Sequence, residues 1–265
     1  MTKSITAEVD HSTPTPWEGV RFQPSVALGL LVYAGYLAIF YATWKINGVD
    51  YDSIGKTVES TKLHYAMPTL LGCAFLVVAI TVLGWWRITL FDTFRSGPKW
   101  AWIGPIAMFV LAVASFAGVT WSNVSSTLLL WCVLGGIGVG FGEEMITRGA
   151  LLVGLRTKHN EIIAWLFSTL AFAALHAPNA LFGQSVGKTA VQLVFTFLVG
   201  SLLWSIRRLS GTLLLCMFLH GFWDSSIFLP GATGDTAFPG SAVIYLIAIV
   251  CAIGVLLKNR HIFVR

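Results

Sequence analysis

Six ionisable side chains stand where apolar ones are expected. Glu143, Glu144, Arg148, His176, His220 and Asp224 all fall within long apolar runs of the 265-residue chain. A charge near the centre of a bilayer costs about 2.5–3.5 kcal/mol even on the lenient insertion scales. Such groups therefore face a bundle interior and mark function. Their spacing sorts them. Glu144 and Arg148 stand at i, i+4, so they face one another on a helix and form a supporting ion pair. Glu143 points about 100° away from Glu144, following 3.6 residues per turn, and is the freer carboxylate. His220 and Asp224 share a face at the same spacing, and so do Phe172 and His176.

No G-x-S-x-G, no H-E-x-x-H and no cysteine accompanies these groups. What remains is an activated water. Glu143 with His176 is the pair to hold and deprotonate it, as a general base. His220, oriented by Asp224, is the donor for the oxyanion of a tetrahedral intermediate. Together these are the parts needed to hydrolyse a peptide bond inside a membrane. The same side chains also suit a divalent metal such as zinc, with Glu143, His176 and His220 as the ligands. Two uses outside catalysis stay open: an ion- or proton-coupled carrier, and a non-catalytic membrane scaffold.

These residues need elements to bring them together, and composition says which kind. The chain is 56% hydrophobic and only 11% charged, against roughly 25% charged in an ordinary soluble domain. Its net charge of +5 comes from 17 Lys and Arg spread along the whole length. That leaves no basic stripe for nucleic acid. The fold class expected is all-α, a polytopic transmembrane bundle. A span takes about 20 mostly apolar residues. Eight runs qualify: Val26–Trp44, Ala66–Trp86, Ala101–Val119, Ser126–Leu155, Ile162–Ala177, Thr189–Ile206, Thr212–Phe228 and Ala242–Leu257. The fourth is long for one span and carries Gly135, Gly136, Gly138, Gly140 and Gly142. Close helix packing is the plainer reading of these glycines; a bend there, opening the backbone to a substrate, is the other.

The fourth and fifth runs make a hairpin around Thr157–Asn160, and Glu143 and His176 lie equally far from its centre. At about 1.5 Å per residue both are roughly 25 Å from that turn. His220 and Asp224 come about 16 and 22 Å after the turn near Leu209, on the same side. The four share one layer.

Residues 1–24 are polar, contain Pro14, Pro16 and Pro24, and form a flexible tail. Residues 25–258 form the membrane domain, with the motif core at 126–228, and 259–265 a short C-terminal tail. With eight spans, the side holding both termini carries twelve Lys and Arg. The other side carries four, Lys45, Lys56, Lys62 and Lys188. By the positive-inside rule both termini are cytoplasmic. The four cysteines lie singly in apolar runs and behave as small hydrophobes.

Three motifs in order carry a resemblance. Glu143-Glu144-Met-Ile-Thr-Arg148 resembles E-E-x-x-x-R, Phe172-Ala-Ala-Leu-His176 resembles F-x-x-x-H, and His220-Gly-Phe-Trp-Asp224 resembles H-x-x-x-N/D. This is the pattern of the CAAX-processing and bacteriocin-processing family of intramembrane proteases, and it covers about Ser126–Phe228. The resemblance implies a helical endopeptidase acting on a membrane-associated peptide or protein. The family was long labelled metalloprotease, with a metal-free glutamate mechanism as the other view; no cofactor is the reading favoured for this chain, with zinc the alternative. It implies that Glu143 and His176 activate water, that His220 and Asp224 stabilise the oxyanion, and that Glu144, Arg148 and Phe172 support them. The last motif position is Asn in the eukaryotic prenyl-protein proteases and Asp here.

Overall fold

A computed structural model describes residues 19–92 and 95–259. Most of the expected N-terminal tail, residues 1–18, and nearly all of the C-terminal tail, residues 260–265, lie outside the described residues. Among those described there is no β-strand, and eight helices are long and apolar enough to cross a membrane. They are α1 (Val26–Ile46), α2 (Val58–Leu83), α3 (Lys99–Ala117), α4 (Ser126–Arg156), α5 (Glu161–Phe182), α6 (Val186–Ser210), α7 (Leu213–Thr233) and α8 (Pro239–Asn259).

Polar residues at the apolar boundaries set where these helices start and stop. Ser25, Ser125, Asn160, Ser185 and Thr212 each accept a backbone N–H of the first turn, which serves donors that the helix leaves unpaired. Gly84, Gly211 and Gly234 end α2, α6 and α7 in the left-handed region, with φ of 72°, 74° and 82°, where only glycine sits without strain. α2 begins eight residues before the apolar run predicts, at Val58 rather than Ala66. The Thr57 and Ser60 side chains bond each other's backbone N–H at 3.0 Å. This capping box lets a polar turn join the helix.

Two helices widen into π turns, α2 at Thr61–Ala66 and α4 at Met145–Leu151. In α2 the cause is Pro68, which has no N–H to offer the carbonyl four residues back. That carbonyl, of His64, accepts the Trp44 indole N–H instead at 2.8 Å. In α4 the irregularity lies one turn after the glycines, not among them. The glycine stretch itself is regular helix and serves packing. A Cβ at Gly136 would stand 2.7 Å from the Gly221 carbonyl oxygen, and one at Gly140 would stand 3.0 Å from the Gly221 nitrogen. The backbones of α4 and α7 therefore touch, and this close approach sets two of the motifs face to face.

A second buried ionic group, which the loop charges did not reveal, closes the end of the bundle where α4 meets α5 and α6 meets α7. Asp92 accepts from Arg156 at 2.8 Å, Arg207 at 2.9 Å and Arg208 at 2.7 Å. Glu161 accepts from Arg156 at 2.6 Å and from the Trp204 indole at 3.0 Å. Burial alone would raise the Asp92 carboxyl, but the three guanidiniums hold it well below the ordinary carboxylate range. Arg207 also donates to the Arg148 carbonyl in the π turn of α4, so the cluster braces the helix that carries the first motif.

Candidate active site

Glu144 is fully buried and sits at the centre of the motif residues. Its Oε1 accepts from Arg148 Nη1 at 2.9 Å and from His220 Nδ1 at 3.0 Å. The ion pair expected from the i, i+4 spacing is present, but Glu144 does more than balance Arg148. It is the group that orients His220. Asp224, assigned that role from the sequence, lies 3.9 Å from His220 Nε2, on the other ring nitrogen and outside hydrogen-bond range. Glu143 Oε2 is 4.0 Å from the same Nε2. His220 therefore has one carboxylate at its back and two in front.

Phe172 explains why an aromatic ring belongs four residues before His176. Its face carries the Arg148 guanidinium, 3.8 Å from the ring centre. Its ring meets His176 and His220 edge to face, at centroid distances of 5.8 and 5.4 Å. Gly200 on α6 makes room for this stack, since a Cβ there would stand 2.6 Å from Arg148 Nη2. His176 Nδ1 lies 3.3 Å from the Phe172 carbonyl oxygen. A carbonyl only accepts, so Nδ1 carries the proton and Nε2 keeps a lone pair.

Tyrosines that the motif pattern passed over hold the end of α5. Tyr33 donates to the Ala171 carbonyl at 2.8 Å, and Tyr41 donates to the Leu175 carbonyl beside His176. Their signal in the sequence was a row of hydroxyls within the apolar run of α1, each needing a buried partner.

Two cavities meet at the motif residues. The inner one, about 110 Å³, is bounded by Glu143, His176, Asp224 and the aromatic side chains of α1. The outer one, about 660 Å³, lies between α6, α7 and α8 and reaches Phe172, His176, His220 and Asp224. The loop between α1 and α2 crosses both mouths. Tyr51 lines both cavities, and its hydroxyl accepts from Gln192 Nε2 at 2.9 Å. Gln192 in turn accepts from Asn179 at 3.0 Å, while Lys188 pairs with Asp52 at 3.2 Å. Glu143 and Asp224 keep 13% and 25% of their side-chain surface exposed, and Glu144 keeps none. That gradient separates the carboxylates at the cavity walls from the one committed to Arg148 and His220.

Residues 125–226 match the family model for type II CAAX prenyl endopeptidase Rce1-like proteins. Through this core, which is less than half of the chain, the protein is similar to the CAAX-processing protease family. The match begins at the cap of α4 and ends within α7, so it holds all three motifs and leaves α1–α3 and α8 outside. No curated protein matches the chain. That similarity points to an intramembrane protease of the CAAX type, and the eight apolar helices to a multi-pass membrane protein. The zinc alternative fares differently. Among the described residues no group of three or more His, Cys, Asp or Glu side chains is placed to hold a metal ion. His220 Nδ1 is bonded to Glu144, which is shared with Arg148, so only its Nε2 faces Glu143 and Asp224.

Proposed function

We propose that this chain hydrolyses a peptide bond of a membrane-associated peptide or protein by a metal-free, glutamate-activated water. The observation that carries the reading is the split between the two adjacent glutamates. Glu144 is spent on Arg148 and His220, whereas Glu143 Oε2 is buried at a cavity wall without a protein hydrogen-bond partner. Glu143 takes the proton of a water lying between it and His176 Nε2. The hydroxide oxygen adds to the scissile carbonyl carbon, and the carbonyl electron pair moves onto oxygen. His220 Nε2–H donates to that oxyanion. Because Nδ1 already donates to Glu144, this role uses the doubly protonated ring, whose charge Glu143, Glu144 and Asp224 balance. The proton held by Glu143 then passes to the leaving amine as the carbon–nitrogen bond breaks.

The same reading gives the site a side of the membrane. The cavities are bordered by Tyr51, Gln184 and Lys188, in the loops and the first turn of α6 at the end opposite the termini. Arg156, Arg207 and Arg208 are committed to Asp92 and Glu161. Even without them the terminal side keeps nine Lys and Arg against four. Both termini are then cytoplasmic and the site opens outward, to the non-cytoplasmic end of a membrane peptide. A lipid-modified cytoplasmic C-terminus does not reach it.

The test is cleavage of co-expressed membrane-anchored peptides by the purified protein and by Glu143→Gln, each with and without a strong chelator. Cleavage that is lost in Glu143→Gln and resists chelation is the expected result. Full activity in Glu143→Gln sinks the glutamate mechanism. Loss on chelation with recovery in zinc would make these residues ligands instead.

A further inference from the structure

The inner cavity has a donor and acceptor balance that a peptide hydrolase does not need for its chemistry alone. Its wall carries two carboxylates, Glu143 and Asp224, and no Lys or Arg among the described residues. The imidazole of His220, 4.0 Å from Glu143, offsets part of that charge. Much of the remaining wall is aromatic. Phe40 and Trp44 are 4.9 Å apart and Tyr41 and Trp44 are 5.4 Å apart, and Tyr36 and Tyr51 complete the box. Ring faces present negative charge.

Four side-chain atoms of residues on this wall are buried without a hydrogen-bond partner in the protein: the Tyr36 and Tyr65 hydroxyls, His64 Nδ1 and Glu143 Oε2. Tyr36 is only 1% exposed. Leaving a buried polar group unserved is costly, and several such groups gathered around one small space call for a common partner. The carboxylate is acceptor only, and the hydroxyls and imidazole also accept. A group with several N–H donors and a positive charge satisfies them together and lies well against the rings.

We propose that the inner cavity is a subsite for a primary ammonium, carried by a lysine side chain or a free amino terminus next to the scissile bond. The assignment rests on the proteolytic reading only for that last position; the ammonium site itself does not need catalysis. About 110 Å³ admits one side chain rather than a helix. The larger cavity takes the rest of the peptide, and the bond to be cut lies where His176 and Asp224 border both.

Two measurements on the purified full chain test it. The first is binding of n-butylammonium against 1-butanol, read as a saturable rise in melting temperature. Butylammonium should bind at least tenfold more tightly, and Tyr36→Phe and Trp44→Leu should each weaken it severalfold. Tyr36→Phe removes only an unserved hydroxyl, so that variant should fold at least as stably as the parent. Equal binding of the two probes would mean that water alone serves these atoms, and undiminished binding in both variants would place the ammonium elsewhere; either overturns the proposal. The second is cleavage of membrane-anchored peptides with Lys, norleucine or Glu beside the cut, and of peptides with a free or acetylated amino terminus. The site predicts a tenfold higher kcat/KM for Lys over norleucine, or for the free terminus over the acetylated one. Cleavage without either preference overturns the subsite and leaves the protease reading intact. Selective ammonium binding with no peptide cut supports the subsite and counts against the protease reading.

Discussion

Exchanging either of two neighbouring glutamates for glutamine should produce opposite effects on stability. Glu144→Gln removes the charge that Arg148 faces at 2.9 Å, and both side chains are completely buried. Removing one partner of a buried pair typically costs about 3–5 kcal/mol, because the other charge is left uncompensated. The glutamine oxygen can still accept from His220 or Arg148, so the lower end of that range is expected. Glu143→Gln costs no hydrogen bond at Oε2, which has no protein partner. It also relieves crowding among Glu143, Glu144 and Asp224. Its unfolding free energy should match or exceed the parent's. Its activity should fall by the share of a general base, about 10²–10⁴-fold, or roughly 3–5 kcal/mol of barrier. The assay pairs denaturant unfolding in detergent with cleavage of a membrane-anchored reporter. Equal stability losses in the two variants, or a stable Glu144→Gln protein, would refute the division of labour read from the geometry.

Other perturbations separate scaffold from site. Asp92→Asn removes the carboxylate charge that three buried guanidiniums share and should cost about 3–5 kcal/mol, measured by the same unfolding assay. Because the folded Asp92 carboxyl is held below its unfolded value, its contribution is fully present above about pH 4 and fades as pH falls further. Asp92→Asn should flatten that acid limb; an unchanged acid limb would mean that other groups set it. Gly221→Ala drives a methyl onto the Gly136 carbonyl and should cost about 1–3 kcal/mol by overpacking while lowering activity with it; retained activity would show that α4 and α7 part without harm. Cysteine placed at Lys56 should be labelled by a membrane-impermeant maleimide on intact cells, and cysteine at Lys258 should not. The reverse pattern would turn the site toward the cytoplasm.

The eight apolar runs were legible because a bilayer demands length and hydropathy from each segment separately, and those are one-dimensional properties. The three motifs were legible for a related reason: an ionisable group in an apolar run is conspicuous wherever it ends up. Helix periodicity also gave the Glu144–Arg148 pair, because an i, i+4 contact is local. Partners across helices were not legible. Which carboxylate holds His220 depends on how closely α4 and α7 approach, and that follows from Gly136, Gly140 and Gly221 meeting backbone to backbone. The cluster of Asp92, Glu161, Arg156, Arg207 and Arg208 looked like ordinary loop charge, since each residue stands at a helix edge. Only the gathering of those edges buries them. The π turn after the first motif, the Tyr51–Gln192–Asn179 chain over the cavity mouths and the aromatic box beneath Glu143 are likewise products of packing. The sequence thus determined which residues must leave the lipid. The tertiary structure decided which of them bond to one another and which are left facing a cavity.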